Sequence, residues 1–161
     1  MLTNLDATLA LTFPSDSELL ITRTFAAPRH LVFATITQPH HVRQWYGPCV
    51  LTMTVCEIDL RVGGRWRYVL QAPDGSEHAF SGEYLEITPP ERLVSTEGYE
   101  AIPGAEYVAT VTLAEQDGMT TFTNHLQYKS KEHRDGHIGS GMEAGMRETY
   151  TRLDALLITL Q

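Results

Sequence analysis

Metal ligation, acid–base or nucleophilic catalysis, and contact with an apolar ligand are the chemistries to test against the reactive side chains of this sequence. His133 and His137 stand four apart and could share a metal, yet no third ligand is spaced to join them. They read as helix-surface histidines. Ser140 lacks the G-x-S-x-G elbow of a hydrolase nucleophile. "GSGMEAG" runs G-x-G-x-x-x-G rather than G-x-G-x-x-G, and no parallel βαβ pattern surrounds it. Cys49 and Cys56 lie seven apart on one strand-like stretch, too far to bridge, and read as reduced, packed thiols. Glu57 and Asp59 alternate with Cys56 and Ile58, which puts them on a solvated face; a carboxylate pair for acid–base work stays open there. Arg134-Asp135 reads as a structural ion pair. Glu83, Glu97 and His125 remain as titratable groups that an enzyme working in an apolar interior would need. No motif requires a metal or a cofactor.

The aromatic residues carry a stronger pattern. In "GRWRYVLQ", Trp66, Tyr68 and Leu70 alternate with Arg65, Arg67 and Gln71. Tyr107, Ala109, Val111 and Leu113 share one face of a second strand, and Phe122, Leu126 and Tyr128 one face of a third. Asn124 falls on that last apolar face, where its amide must be satisfied by neighbours or by a ligand. Phe80 and Tyr84 belong to the same set, with a bulge near Glu86 able to switch the parity. Any one of these side chains is core; together they describe a pocket partly lined by aromatics.

The elements that must position them follow from the punctuation. "ELLITRTF" (18–25) is a strand, and two short helices follow it, opened by Pro28 and Pro39 and closed before Gly47-Pro48. Trp45 ends the second helix, so its indole points to the base of the interior, while Tyr46 should face another way. His40 and His41, in that helix's first turn, are solvated. Strand-like runs occupy 50–60, 65–71, 77–87, 92–98, 106–115 and 119–128, separated by turn signals such as Pro73-Asp74-Gly75 and Asp117-Gly118. Ile138, Met142, Met146, Thr149, Leu153, Leu156 and Leu160 then recur with a helical period, predicting one long amphipathic helix over the last thirty residues, capped by Ser130. The order is β-α-α-β6-α, an α+β fold in which a seven-stranded antiparallel sheet curls around the final helix. Residues 1–17 read as a flexible lead-in and 18–161 as one domain.

The totals exclude other roles. With 12 Lys+Arg against 20 Asp+Glu, the formal net charge is -8, which repels phosphate backbones and anionic membranes. The first residues carry acids and no basic segment, so they do not form a signal peptide, and a cytoplasmic location is the expectation.

Four stretches, "TRTFAAPRHLVFATITQPHHVRQWYGP", "CEIDLRVGGRWRYV", "GEYLEITPPERLVSTE" and "YKSKEHRDGHIGSGMEAGMRETYTRLDALL", resemble in order and spacing the homologues of the heat-shock-protein ATPase activator. That family is a branch of the superfamily of lipid-transfer START domains, the birch-pollen allergen and polyketide cyclases. The resemblance spans roughly residues 19–160. It implies a helix-grip fold with a cavity between sheet and helix, and it leaves the activity open.

Gly136, Gly139, Gly141 and Gly145, in the first half of the helix, leave room for such a cavity, and Met142 and Met146 offer it adaptable side chains. The expected function is binding of a hydrophobic or amphipathic small molecule. Trp45, Trp66, Tyr68, Phe80, Tyr107, Phe122, Met142 and Met146 would give apolar contact; Asn124, Tyr84 and Tyr150 would orient the ligand. Entry is expected between the helix start and the turns at 72–76 and 99–104. The alternatives are a cyclase, dehydratase or hydrolase acting in the same cavity, and a chaperone-associated module using the outer surface. Monomer and homodimer are equally open.

Overall fold

The computed structural model describes residues 9–161. Its eight strands are β1 (Ala10–Thr12), β2 (Glu18–Phe25), β3 (Thr52–Ile58), β4 (Arg65–Gln71), β5 (Glu77–Thr88), β6 (Arg92–Tyr99), β7 (Tyr107–Gln116) and β8 (Met119–Gln127). They form one antiparallel sheet in the order β1-β2-β8-β7-β6-β5-β4-β3. After β2 the chain crosses, through α1 (Arg29–Thr37) and α2 (Pro39–Trp45), to the far edge at β3. It then walks back by hairpins until β8 closes beside β2. The helix-grip, α+β reading of the sequence holds, with one more strand than expected.

The extra strand is β1, which falls inside the stretch read as a lead-in. Ala10 to Thr12 pair with Thr22 to Leu20, and Leu9 is buried. Three residues followed by the turn-forming "FPSDS" are too short to show a period, so the pairing is decided by the free edge of β2 rather than by local pattern. The first eight residues of that lead-in lie outside the described residues.

Period-two alternation sets which side chains face inward. On β2, Leu19, Ile21, Arg23 and Phe25 are buried and their neighbours half-buried. The expected bulge is present: register shifts between Tyr84 and Glu86, which bends the strand there. A second device is Gly82. A Cβ there would lie 1.8 Å from the Thr96 carbonyl oxygen and 2.6 Å from Trp66 Nε1, so no larger residue lets β5 and β6 approach this closely.

The long final helix of the sequence reading is two helices, α3 (Lys131–Gly139) and α4 (Met142–Thr159). The apolar period runs through the junction, but Gly141 takes φ +84 and breaks the helix there. Ser130 caps α3 by accepting from the His133 amide at 3.1 Å. No residue of α3 is buried, whereas α4 buries Tyr150, Leu153, Asp154 and Leu157. Arg152 ties α4 to the end of α2, donating to the carbonyl oxygens of Gln44 (3.0 Å) and Gly47. No helix among the described residues is long and apolar enough to cross a membrane.

Candidate functional site

Sheet and α4 do not close on each other along their whole length. Between β2, β4–β8, the α2–β3 connection and the first half of α4 lies a cavity of about 470 Å³, a size that suits a small organic ligand. All eleven residues singled out from the sequence line it. Trp66 and Tyr68 reach in from β4, Phe80 and Tyr84 from β5, Tyr107 from β7, and Phe122 and Asn124 from β8. Trp45 closes the base, with Nε1 donating to the Thr35 carbonyl oxygen at 2.8 Å. Met142, Met146 and Tyr150 come from α4.

Tyr46 overturns an expectation. It does not face away but lies in the cavity, its ring 4.7 Å from Tyr68 and 6.4 Å from Phe80. The helical alternation ends at Trp45, and Tyr46 is extended (φ -71, ψ 130), so two consecutive aromatics enter one space. The next residue, Gly47, has φ +84, and a Cβ there would meet Leu70 Cδ1 at 2.8 Å. The tight "WYGP" turn is the signal in the sequence that both rings are held inward.

His137 is the second correction. Rather than resting on the helix surface, it lines the cavity, stacks on Tyr107 at 5.2 Å, and sits with Nδ1 2.6 Å from the Tyr128 hydroxyl. The break at Gly141 turns α3 out of line with α4, so a face computed along one continuous helix misplaces it. Partial burial against the cavity wall holds its pKa below the ordinary histidine value, which favours the neutral ring. Gly47, Pro48 and Leu51 bring loop backbone to the cavity, and neither the turn at 72–76 nor that at 99–104 lines it.

Of the three titratable candidates, Glu97 alone faces the cavity. Glu83 lies off it, its amide donating to Thr96 Oγ1 at 2.9 Å. His125 alternates outward from Asn124 and pairs with Glu18 at 2.5 Å. Glu97 shares its strand face with Leu93 and Ser95 and stands opposite Tyr107 in the β6–β7 ladder. Burial pushes its carboxyl up to about 7, offset in part by a hydrogen bond from the Tyr107 hydroxyl. Desolvation raises the phenols of Tyr46, Tyr68, Tyr107 and Tyr150 above the ordinary tyrosine value, so each stays a neutral hydroxyl. Asn124 hydrogen-bonds the Tyr150 hydroxyl, and its buried Oδ1 has no partner among the described residues.

Other chemistry stays outside the site. Arg134 pairs with Asp135 at 3.1 Å and donates to the Ser15 carbonyl oxygen at 2.6 Å, which pins the segment after β1. Glu57 and Asp59 are exposed, and both cysteines are free, with Cys56 packed as expected but Cys49 exposed in the turn before β3. Among the described residues, no three His, Cys, Asp or Glu side chains are placed to hold a metal ion.

A curved antiparallel sheet gripping a C-terminal helix over an internal cavity defines the helix-grip class, the SRPBCC superfamily. Within it, residues 26–158 match the family described as Activator of Hsp90 ATPase homolog 1-like protein, and the chain belongs to that family. A solved structure from Rhodobacter sphaeroides is 29% identical, with 94% of this chain and 99% of that one covered and a TM-score of 0.88. One from Nitrosomonas europaea is 28% identical, covering 91% and 97% with a TM-score of 0.82. Protein Ms6760 from Mycobacterium smegmatis is 27% identical, covering 92% and 96%, also at 0.82. No curated protein matches the chain.

Proposed function

We propose that this protein binds a hydrophobic or amphipathic small molecule in the cavity between sheet and α4, to sequester or carry it. The observation that carries the reading is the cavity itself: about 470 Å³ between sheet and α4, with aromatic walls and a few convergent polar groups. A gap of this size forfeits packing that a handful of larger side chains would restore, so a ligand is its natural filling. The family's description names an ATPase activator, a role that would use the outer surface.

Native mass spectrometry of the purified protein, followed by solvent extraction of whatever is bound, tests the reading. A discrete added mass, or saturable binding of hydrophobic fluorescent probes that Met146→Trp abolishes, supports it. A protein that binds no member of a broad probe panel overturns it.

One observation favours a second reading. A cavity carboxyl balanced near neutrality can exchange protons with a bound substrate, so Glu97 would be the acid or base of an enzyme. Turnover of an enolisable substrate, with a pH profile that disappears in Glu97→Gln, would establish it.

A further inference from the structure

The ligand-binding reading leaves one group unexplained. Glu97 is a carboxyl in the wall of an aromatic cavity, and among the described residues no lysine or arginine pairs with it. A buried charge without a partner is costly, and proteins remove that cost by pairing, by protonation or through a ligand. Every neighbour that feels its charge is a phenol: Tyr107 from β7, Tyr68 from β4, Tyr46 after α2, Tyr128 after β8 and Tyr150 from α4. His137 stacks against Tyr107 and partial burial favours its neutral ring, so it supplies no countercharge either.

Resting on that binding function, we propose that the ligand carries a protonated amine, seated on the Glu97 carboxylate and against the rings of Tyr46, Tyr68 and Tyr107. Three features converge on a cation. Tyr46 and Tyr68 pack edge to face at 4.7 Å in the cavity that the Glu97 carboxylate also lines, and ring faces attract ammonium groups. The cavity wall carries two acceptors, the Glu97 carboxylate, which takes one hydrogen bond from Tyr107, and the Oδ1 of Asn124, which has no partner among the described residues. An ammonium offers three donors and no acceptor. The net charge of -8 also draws cations toward the protein and repels carboxylates. The rest of the ligand is apolar, as Met142, Met146, Leu70 and Phe122 require.

Three probes with one body and different heads test this: naphthylmethylamine, naphthylmethanol and naphthoate, titrated calorimetrically into wild type and Glu97→Gln at pH about 8, where Glu97 is ionised. The amine should bind wild type about tenfold or more tightly than the alcohol, and naphthoate most weakly. In Glu97→Gln that preference should collapse, with an unchanged circular dichroism spectrum showing that the variant is folded. A readout without substitution is the same ratio in wild type at pH about 6, where protonation of Glu97 should erase most of it. An alcohol that binds as tightly as the amine, or an amine preference that survives Glu97→Gln, overturns the cation seat and leaves the binding pocket standing. Failure of all three probes overturns the pocket and the amine seat together.

Discussion

The two halves of α4 meet the same concave sheet and treat it in opposite ways. Toward its C-terminus, Leu153 and Leu157 are fully buried in one cluster with Leu19, Phe25 and Val32. There Asp154 faces Arg23 across 3.9 Å, both shielded from solvent. Toward its N-terminus, Met142, Gly145, Met146 and Thr149 face the cavity. One half holds the fold together; the other keeps a space open. Substitutions should therefore separate cleanly, with stability lost at the closed end and affinity lost at the open end.

The largest effects belong to the closed end. Leu153→Ala leaves a cavity in the sealed core and should cost about 2–5 kcal/mol. Against a total of roughly 5–15 kcal/mol for a domain, that is severe. Asp154→Ala removes one buried partner of the Arg23 charge and should destabilise the protein in urea unfolding by about 1 kcal/mol or more. Probe affinity, measured on the folded fraction, should barely move. If either substitution abolished probe binding while costing under about 1 kcal/mol, the division between the halves would be wrong.

Met146→Trp is the converse. It places an indole in open space, so stability should change by no more than about 1 kcal/mol. Binding of a hydrophobic probe should weaken at least about tenfold, because the added ring occupies the ligand's volume. A destabilisation as large as that of Leu153→Ala would mean the cavity is already filled by flexible side chains in solution.

Glu97 adds a pH signature to the open half. Its folded pKa, about 7, lies above the ordinary value of about 4.3 for an unfolded glutamate. The folded state therefore holds the proton more tightly. Below the unfolded value the group costs nothing; as pH rises toward about 7, stability falls, and above that the penalty is constant. Glu97→Gln should thus raise the melting temperature at pH about 8, by the equivalent of about 1–2 kcal/mol, and change it little at pH about 4.5. A gain that is equal at both pH values would show that packing, and not charge burial, separates the variant from wild type.

How much of this the sequence disclosed depended on the range of the signal. Period-two alternation placed Trp66, Tyr68, Tyr107, Phe122 and Asn124 on one face because a strand's inside and outside are decided by its own residues. Helical period likewise found Met142, Met146 and Leu153. Tyr46 is misplaced by the period because it lies where α2 ends and the next backbone angle sets its direction, and His137 because the Gly141 break separates α3 from the apolar period of α4. Arg23 went unremarked: it occupies an apolar register position, and its partner, Asp154, is far along the chain on another element. Glu97 was visible only as a titratable residue; its isolation from cations is a fact of three-dimensional arrangement.

The smallest expected effect concerns α3, which buries no residue and leans on the sheet through His137. His137→Ala should lower global stability by no more than about 1 kcal/mol, since the Ser130 cap and the Arg134 contact to Ser15 remain. Hydrogen exchange should nevertheless quicken across Lys131–Gly139 and leave α4 unchanged, because the Gly141 break uncouples the two helices. Acidification should do the same to wild type. His137 has its folded pKa depressed by burial, so its contribution is present above about 6.5 and is lost as pH falls through the folded value. In Tyr128→Phe the ring stays buried and the hydroxyl contact is gone, so the response to acid should persist on a less protected α3. If α3 and α4 instead exchanged as one unit in every variant, the glycine break would not separate them in solution, and the wall of the cavity would be as fixed as the closed core beside it.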